Sequence, residues 1–399
     1  MREQQKDTID LCLKCSTCNT VCPVYAVNPL YPGPKFLGPE MARLRDLRGA
    51  EVEMADYCIG CRQCQLACPN GVEIVSLIEE TKVKGRRDKG IPFRDRILGH
   101  NQIVSRLASC IPGLVNLTLS SSSIRGLVEK IFGIKNRPFP TYQKAFSYKP
   151  DFSQSKKSKL KVAYFTGCYS RYNSPAIAQS VVNILKKCGV EVVVPPQKCC
   201  GVPLVSNGLT DEAKKNAEFN LEVLSKLVDQ GYLIVASCPS CTLSLKQDYK
   251  LYGFSHGNKV ASQVNDICEF LLDYQLVDVG QFLPLKRRYY YHQPCHTKAQ
   301  GMGTPAVKLL ELIPELIMVQ GEQKCCGQAG TYGFKKEKFK ISAAIGEKLF
   351  QDVTGSNADG IVTDCGMCSL QLTGGTGQKV FHPIELLAGS YRSSKNQDV

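Results

Sequence analysis

Cysteine spacing constrains this chain more than any other feature. Of 21 cysteines in 399 residues, eighteen fall into four groups. Cys12, Cys15, Cys18 and Cys22 read C-x2-C-x2-C-x3-C followed by Pro23, and Cys58, Cys61, Cys64 and Cys68 repeat the run before Pro69. Proteins with two iron–sulfur clusters use this run: three close thiolates hold one cluster, and the proline-marked fourth ligates the other. The expected crossing puts Cys12, Cys15, Cys18 and Cys68 on one [4Fe–4S] cubane, with Cys58, Cys61, Cys64 and Cys22 on a second. Zinc fits poorly, because its usual pattern is two separated C-x2-C pairs closing one tetrahedron. Disulfides are also disfavoured. Met1 to Asp10 is polar and charged, with no apolar run to serve as a secretory leader, and a chain this long buries a sizeable core without staples.

The other ten grouped cysteines form an internal repeat. Cys168, Cys199-Cys200 and Cys238-x2-Cys241 make one set, and Cys295, Cys325-Cys326 and Cys365-x2-Cys368 make the second, each position recurring 126 or 127 residues later. Both doublets read Lys-Cys-Cys-Gly, at Lys198–Gly201 and Lys324–Gly327. Such recurrence marks two copies of one supersecondary unit. Short β-branched or aromatic runs predict strands at Lys161–Thr166, Val190–Val194 and Leu233–Ala236, and in the second copy at Arg288–Tyr291, Glu315–Val319 and Gly360–Val362. Helical patterns cover Pro175–Cys188 and Thr210–Asp229, the latter with Thr210 and Asp211 as candidate caps. Strands alternating with helices predict parallel βαβ units. Every cysteine group then lies just past the carboxyl end of a strand, where open α/β sheets bind ligands and helix N-termini offset anionic charge. Five thiolates exceed the need of one tetrahedral metal, so cluster ligation is expected in each copy.

Three cysteines fall outside the groups. Cys188 and Cys268 read as small core residues, and Cys110 has no assigned role. His382 follows an expected last strand, Lys379–Phe381, and reads as a helix-start or core histidine rather than a ligand. His292 and His296, on either side of Cys295, are discounted as ligands in the same way.

The net charge of +14 attracts anionic surfaces. An acidic partner subunit or an anionic lipid leaflet fits; nucleic acid does not, since no recognition helix or aromatic-basic RNA module is present. Part of that charge, at Lys156, Lys157, Lys159 and Lys161, reads as a solvated linker. No stretch is long and apolar enough to span a membrane. Ile97 to Ile134 is nevertheless rich in Ile, Leu and Val, and predicts two amphipathic helices. They either pack on the protein's own domains or lie in a membrane interface. No G-x-G-x-x-G opens a βαβ unit, so no flavin or nicotinamide site is expected. The expected architecture is mixed α+β and α/β. A helical two-cluster ferredoxin-like domain covers residues 1–95, a helical or linker segment 96–158, and a duplicated Rossmann-like α/β cysteine-rich domain 159–285 and 286–399.

The doubled ferredoxin-type run followed by two Cys-Cys-Gly (CCG) units resembles an iron–sulfur subunit family. That family includes heterodisulfide reductase subunits, the glycolate oxidase iron–sulfur subunit and lactate-utilisation proteins. Within it the chain is similar to the family of C subunits of anaerobic glycerol-3-phosphate dehydrogenases. The narrower likeness rests on Val27-Asn28-Pro29, Tyr31-Pro32-Gly33-Pro34-Lys35 and Gly38-Pro39, and on Cys325-Cys326-Gly327, Ala329 to Glu337 and Val362 to Cys365. It runs from about Cys12 to Leu387. The resemblance implies a peripheral subunit at the cytoplasmic face of the inner membrane. Such a subunit takes electrons from the flavoprotein catalytic subunits of glycerol-3-phosphate dehydrogenase and delivers them to the (mena)quinone pool in anaerobic respiration, catalysing nothing itself. An iron–sulfur subunit for glycolate or lactate oxidation, and a catalytic heterodisulfide-reductase-like subunit, are the alternatives the same motifs leave open. Complete five-cysteine CCG units in heterodisulfide reductases bind non-cubane [4Fe–4S] clusters. Both units here are complete, so the resemblance allows one or two further clusters besides the two cubanes.

Overall fold

The structure, a computed structural model, describes residues 8–48, 53–150 and 160–392. Lys156, Lys157 and Lys159, expected in a linker, lie outside the described residues. Lys161 is corrected: it opens the first strand, with its ammonium 5.5 Å from the centre of the Tyr232 ring.

The N-terminal region is helical. Short helices Thr17–Thr20 and Gln63–Leu66 follow the two cysteine loops, and Ile74–Lys89 is the long helix they rest on. The same backbone is written twice. Lys14 and Ser16 in the first loop, and Gly60 and Arg62 in the second, all take positive φ. Left-handed residues at those points curl each loop so that successive sulfurs face inward. Ile9, Val24, Tyr31, Leu37, Val72, Leu77 and Ile78 close the apolar core beneath.

Strands β1 (Lys161–Phe165), β2 (Glu191–Val193), β3 (Leu233–Ala236) and β4 (Val264–Asp266) form one sheet in the order β2-β1-β3-β4. Strands β5 (Arg287–Tyr291), β6 (Leu316–Val319), β7 (Gly360–Val362) and β8 (Val380–Phe381) form the second in the order β6-β5-β7-β8. Every pairing is parallel. Registers agree with the repeat: Tyr164 pairs Val235 in one sheet, and Tyr291 pairs Val362 in the other. Because both faces are covered, β1 is buried along nearly its whole length, as parallel strands are. One hydrophobic core runs through both units, joining Tyr164, Val181, Leu185 and Phe270 to Tyr291, Leu310, Ile384 and Leu387. Full burial of each such side chain contributes roughly 1.5–3 kcal/mol. Helix Pro175–Lys187 shows why it forms. Proline starts it, Ile177, Val181, Ile184 and Leu185 make the inward stripe, and Lys186 and Lys187 complement its C-terminal dipole.

Three expectations are corrected. Thr210 and Asp211 do not cap helix Thr210–Asp229: Leu209 takes the N-cap position, and Asp211 with Glu212 sits in the first turn. The fourth strand, β4, lies where no strand was expected. Between residues 93 and 132 run four helices rather than two, at Phe93–Gly99, Asn101–Ala108, Pro112–Ser120 and Ser122–Phe132. The last two bury no residue against the protein. Ile103, Leu107, Ile111, Leu114, Leu117, Leu127 and Ile131 are exposed along this segment. No single described helix is long and apolar enough to cross a membrane; one pair, Asn101–Ala108 with Pro112–Ser120, is bent by 108°.

Candidate metal centres

The two N-terminal cysteine runs interleave. Cys12, Cys15, Cys18 and Cys68 line one small cavity of ≈ 20 Å³. Cys22, Cys58, Cys61 and Cys64 line a second of ≈ 10 Å³. No histidine or carboxylate lines either cavity among the described residues, while Lys35 borders the first and Arg62 the second. Soft thiolates alone, with cations nearby, suit an anionic iron–sulfur cluster. The sulfurs are unequal. A hydrogen bond with the Thr17 hydroxyl lowers the Cys15 thiol, whereas burial pushes Cys22 up to about 11. Burial also raises Cys58, and Tyr31 donates its hydroxyl to that sulfur from a fully buried position. Metal must displace these protons, so loading becomes easier as pH rises.

Each cysteine-rich unit gathers five sulfurs into one contact chain. In the first the order is Cys168, Cys199, Cys200, Cys241, Cys238. In the second it is Cys295, Cys325, Cys326, Cys368, Cys365. The repeat maps one chain onto the other position by position. Cys199 is held well down by hydrogen bonds from Cys168 and Cys200, and Cys325 likewise by Cys295 and Cys326. The glycine closing each doublet adds a backbone N–H: Gly327 donates to the Cys325 sulfur at 3.4 Å, and Gly201 to Cys199. The equivalent tyrosine of each central strand repeats its role as well. Tyr164 hydrogen-bonds Ser237 (2.7 Å) and Tyr291 donates to Asp364 (2.6 Å), both residues preceding a C-x2-C.

The units differ in their surroundings. A cavity of ≈ 580 Å³ opens on Cys58 and Cys61 of the N-terminal region and on Cys295, Cys325, Cys326, Cys365 and Cys368, but on none of the first unit's five. Cys61 is raised by burial and then by the charge of neighbouring Cys325. His296 clamps the same junction: its Nε2–H donates to the Gly60 carbonyl at 3.3 Å while Nδ1 accepts from the Ser240 hydroxyl at 2.8 Å. Ile341 and Ile345 of the second unit pack into the N-terminal core. Arg137 enters the second unit from the helical segment, donating to Gln328 (2.8 Å) and Gln371 (2.9 Å) with its charge near Cys326.

The remaining residues are placed as follows. Cys268 is fully buried in the shared core and Cys188 packs against it; Cys110 is exposed. His382 caps helix Pro383–Ser390, accepting from the Ile384 N–H, while its Nε2–H donates to the Ser237 carbonyl at 2.9 Å. That is the helix-start role expected of it. His292 is fully buried, as a core histidine is, and lies beside Cys326 and Cys368. Sequence reading missed Arg137 entirely and weighed His292 and His296 only as neighbours of Cys295. Nothing along the chain signals that Arg137 and Cys326, far apart in number, meet in space.

Comparison with known proteins agrees with this layout. The 4Fe-4S dicluster domain family matches residues 8–72, and the cysteine-rich CCG domain family matches twice, at residues 162–246 and 289–373. The C subunit of anaerobic glycerol-3-phosphate dehydrogenase from Escherichia coli (strain K12) is 36% identical over 94% of this chain and 97% of its own. The B subunit of fumarate reductase (CoM/CoB) from Methanothermobacter marburgensis is 28% identical over 98% of this chain and 74% of its own. The D subunit of the dihydromethanophenazine:CoB–CoM heterodisulfide reductase from Methanosarcina barkeri is 24% identical over 92% and 89%. The cofactors are accordingly [4Fe–4S] clusters, and the work is electron transport. Interleaved cysteine runs, two complete CCG units and identity along nearly the whole length place the chain in the family of the anaerobic glycerol-3-phosphate dehydrogenase C subunit.

Proposed function

We propose that this iron–sulfur subunit relays electrons singly from flavin-bearing subunits that oxidise glycerol 3-phosphate to dihydroxyacetone phosphate, and delivers them to the (mena)quinone pool. In this reading Cys12, Cys15, Cys18 and Cys68 hold one cubane, and Cys22, Cys58, Cys61 and Cys64 the other. Bound [4Fe–4S] clusters supply one-electron carriers. The chain's own residues isolate them from water, neutralise their charge through Lys35, Arg62 and Arg137, and fix their spacing. The observation that carries the reading is the junction at Cys61, Cys325 and His296. There Cys61 of the N-terminal region neighbours Cys325 of the second CCG unit, and one cavity touches cysteines of both. Residues 1–95 then act as the two-cluster domain, 96–158 as the membrane-facing segment, and 159–285 and 286–399 as the two Rossmann-like CCG units. The exposed apolar face of the 93–132 helices, with Arg96, Arg106 and Lys130 exposed on the same segment, suits attachment to the cytoplasmic face of an anionic membrane.

Cys15→Ser tests the relay. It should remove one cubane's EPR signal and electron delivery to quinone while the flavoprotein partners keep reducing artificial dyes. Loss of the dye activity as well would count against a relay. A second reading, thiol–disulfide reduction at the second unit, is favoured by the cavity that reaches Cys295, Cys326 and Cys365. Turnover of a heterodisulfide by this chain alone, with reduced viologen, would support it over the relay.

A further inference from the structure

We propose that His292 is a nitrogen ligand of the metal centre in the second cysteine-rich unit, which makes that centre chemically different from its partner in the first. The inference rests on the reading that the second unit holds metal, and deepens it.

The internal repeat carries the first part of the argument. Tyr164 pairs Val235 and Tyr291 pairs Val362, so the residue after each tyrosine, Phe165 at the end of β1 and His292 just past the end of β5, occupies one equivalent position. The His292 N–H donates to the Val362 carbonyl at 2.9 Å, which holds it in strand register. Phe165 is fully buried and belongs to the apolar cluster beneath the first unit's cysteines. A duplicated fold therefore uses a hydrocarbon ring at this point once and an imidazole once. If the role were only to fill volume, an imidazole would be a poor choice, because burying its polar atoms without partners is unfavourable.

Partners are what His292 lacks. It is fully buried, and neither Nδ1 nor Nε2 has a hydrogen-bond partner among the described residues. His296 and His382 bond through both ring nitrogens. What His292 faces is sulfur. Its ring nitrogen and the Cys326 and Cys368 sulfurs all lie within 4.8 Å of one another, and those two sulfurs are 3.3 Å apart. Three soft or borderline donors that close can share one metal ion, and a neutral imidazole offers the lone pair to bind it. Exchanging a thiolate for imidazole removes negative charge from a cluster and raises its reduction potential, as in Rieske centres. The second unit, which adjoins the Cys58–Cys61 loop, would then be the better electron acceptor of the two.

The test uses the full chain labelled with 15N-histidine and 57Fe and purified without oxygen. Pulsed EPR should detect a strong nitrogen coupling on a signal that Cys326→Ser abolishes. His292→Phe, which installs the residue used by the first unit, should lose that coupling while both cubane signals and the circular dichroism stay unchanged. His292→Cys should lower the midpoint potential of the same centre. In a diamagnetic state, 57Fe Mössbauer spectra should show a distinct iron site that disappears in His292→Phe. An iron centre in the second unit without nitrogen coupling overturns the proposal, as does coupling that survives His292→Phe. Equal iron content in wild type and Cys326→Ser also overturns it, by showing no metal there; the relay would still stand on its two cubane signals.

Discussion

Gly327 is fixed by its neighbour's carbonyl. Its φ is +82°, and a Cβ built on it would lie 2.0 Å from the Ser342 carbonyl oxygen. The tight turn is what turns its N–H toward the Cys325 sulfur. Gly201 has φ +97°, yet its Cβ would come no nearer than 3.2 Å to any atom, the nearest being the Ala213 methyl. Gly327→Ala should therefore destabilise the protein by about 2 kcal/mol or more, from left-handed strain plus the clash. Gly201→Ala should cost less. Urea unfolding of the two variants checks the ranking, and equal losses would refute it. At this scale the sequence was legible where chemistry is local. His382 was readable as a helix start because Pro383 follows it directly. His292 read as a helix-start or core histidine, and it is buried; its place beside Cys326 and Cys368 was not readable, because strand register leaves no trace in a lone His-x2-Cys.

One buried carboxylate gathers cations from three parts of the protein. Asp95, on helix Phe93–Gly99, is fully buried and accepts from Arg86 (2.9 Å), Arg94 (2.8 Å) and Lys335 (2.9 Å). These groups belong to the long N-terminal helix, the Phe93–Gly99 helix and the second CCG unit. Burial alone would raise Asp95, but Lys335 and Arg94 together hold it below the usual carboxylate range. A depressed acid stabilises the fold above its unfolded pKa, and that contribution is lost as pH falls through the folded value. Asp95→Asn takes the carboxylate from buried Lys335 and leaves Arg86 with Asp56 and Arg94 with Glu337, and should cost about 3 kcal/mol at neutral pH. The gap to wild type should narrow as the pH drops below the carboxylate range. Thermal unfolding across pH measures both, and a gap independent of pH would exclude the assignment. Element by element, Leu233–Ala236 and Gly360–Val362 were readable to the residue because two-sided burial demands continuous apolar runs. Strand β4, Val264-Asn265-Asp266, has no such run; pairing with β3 extends it. Cap chemistry misled at Thr210, where the backbone enters the helix one residue earlier at Leu209.

For the whole molecule, the helical segment is where pattern reading ran out. Apolar content between residues 97 and 134 predicted amphipathic helices, but whether protein covers their apolar side is a property of the assembled fold. The fold leaves Leu117 71% exposed and Leu114 62% exposed. Leu114→Glu with Leu117→Glu should weaken binding to anionic vesicles at least tenfold. Each leucine contributes roughly 1.5 kcal/mol or more when buried in lipid, and about 1.4 kcal/mol is a factor of ten. Vesicle flotation reads this, and unaltered flotation would remove the segment from membrane contact. High salt should weaken the same binding if the net charge of +14 assists it. Interleaving of the two N-terminal cysteine rings has a further consequence, for synthesis. Cys68 completes the ring that Cys12 begins, and Cys22 serves the ring that Cys58 begins. A nascent chain thus offers the assembly machinery no finished four-sulfur socket until Cys64 has left the ribosome, and the other closes at Cys68 directly after. Both sockets then mature together, and a break between the loops forfeits the pair rather than one member.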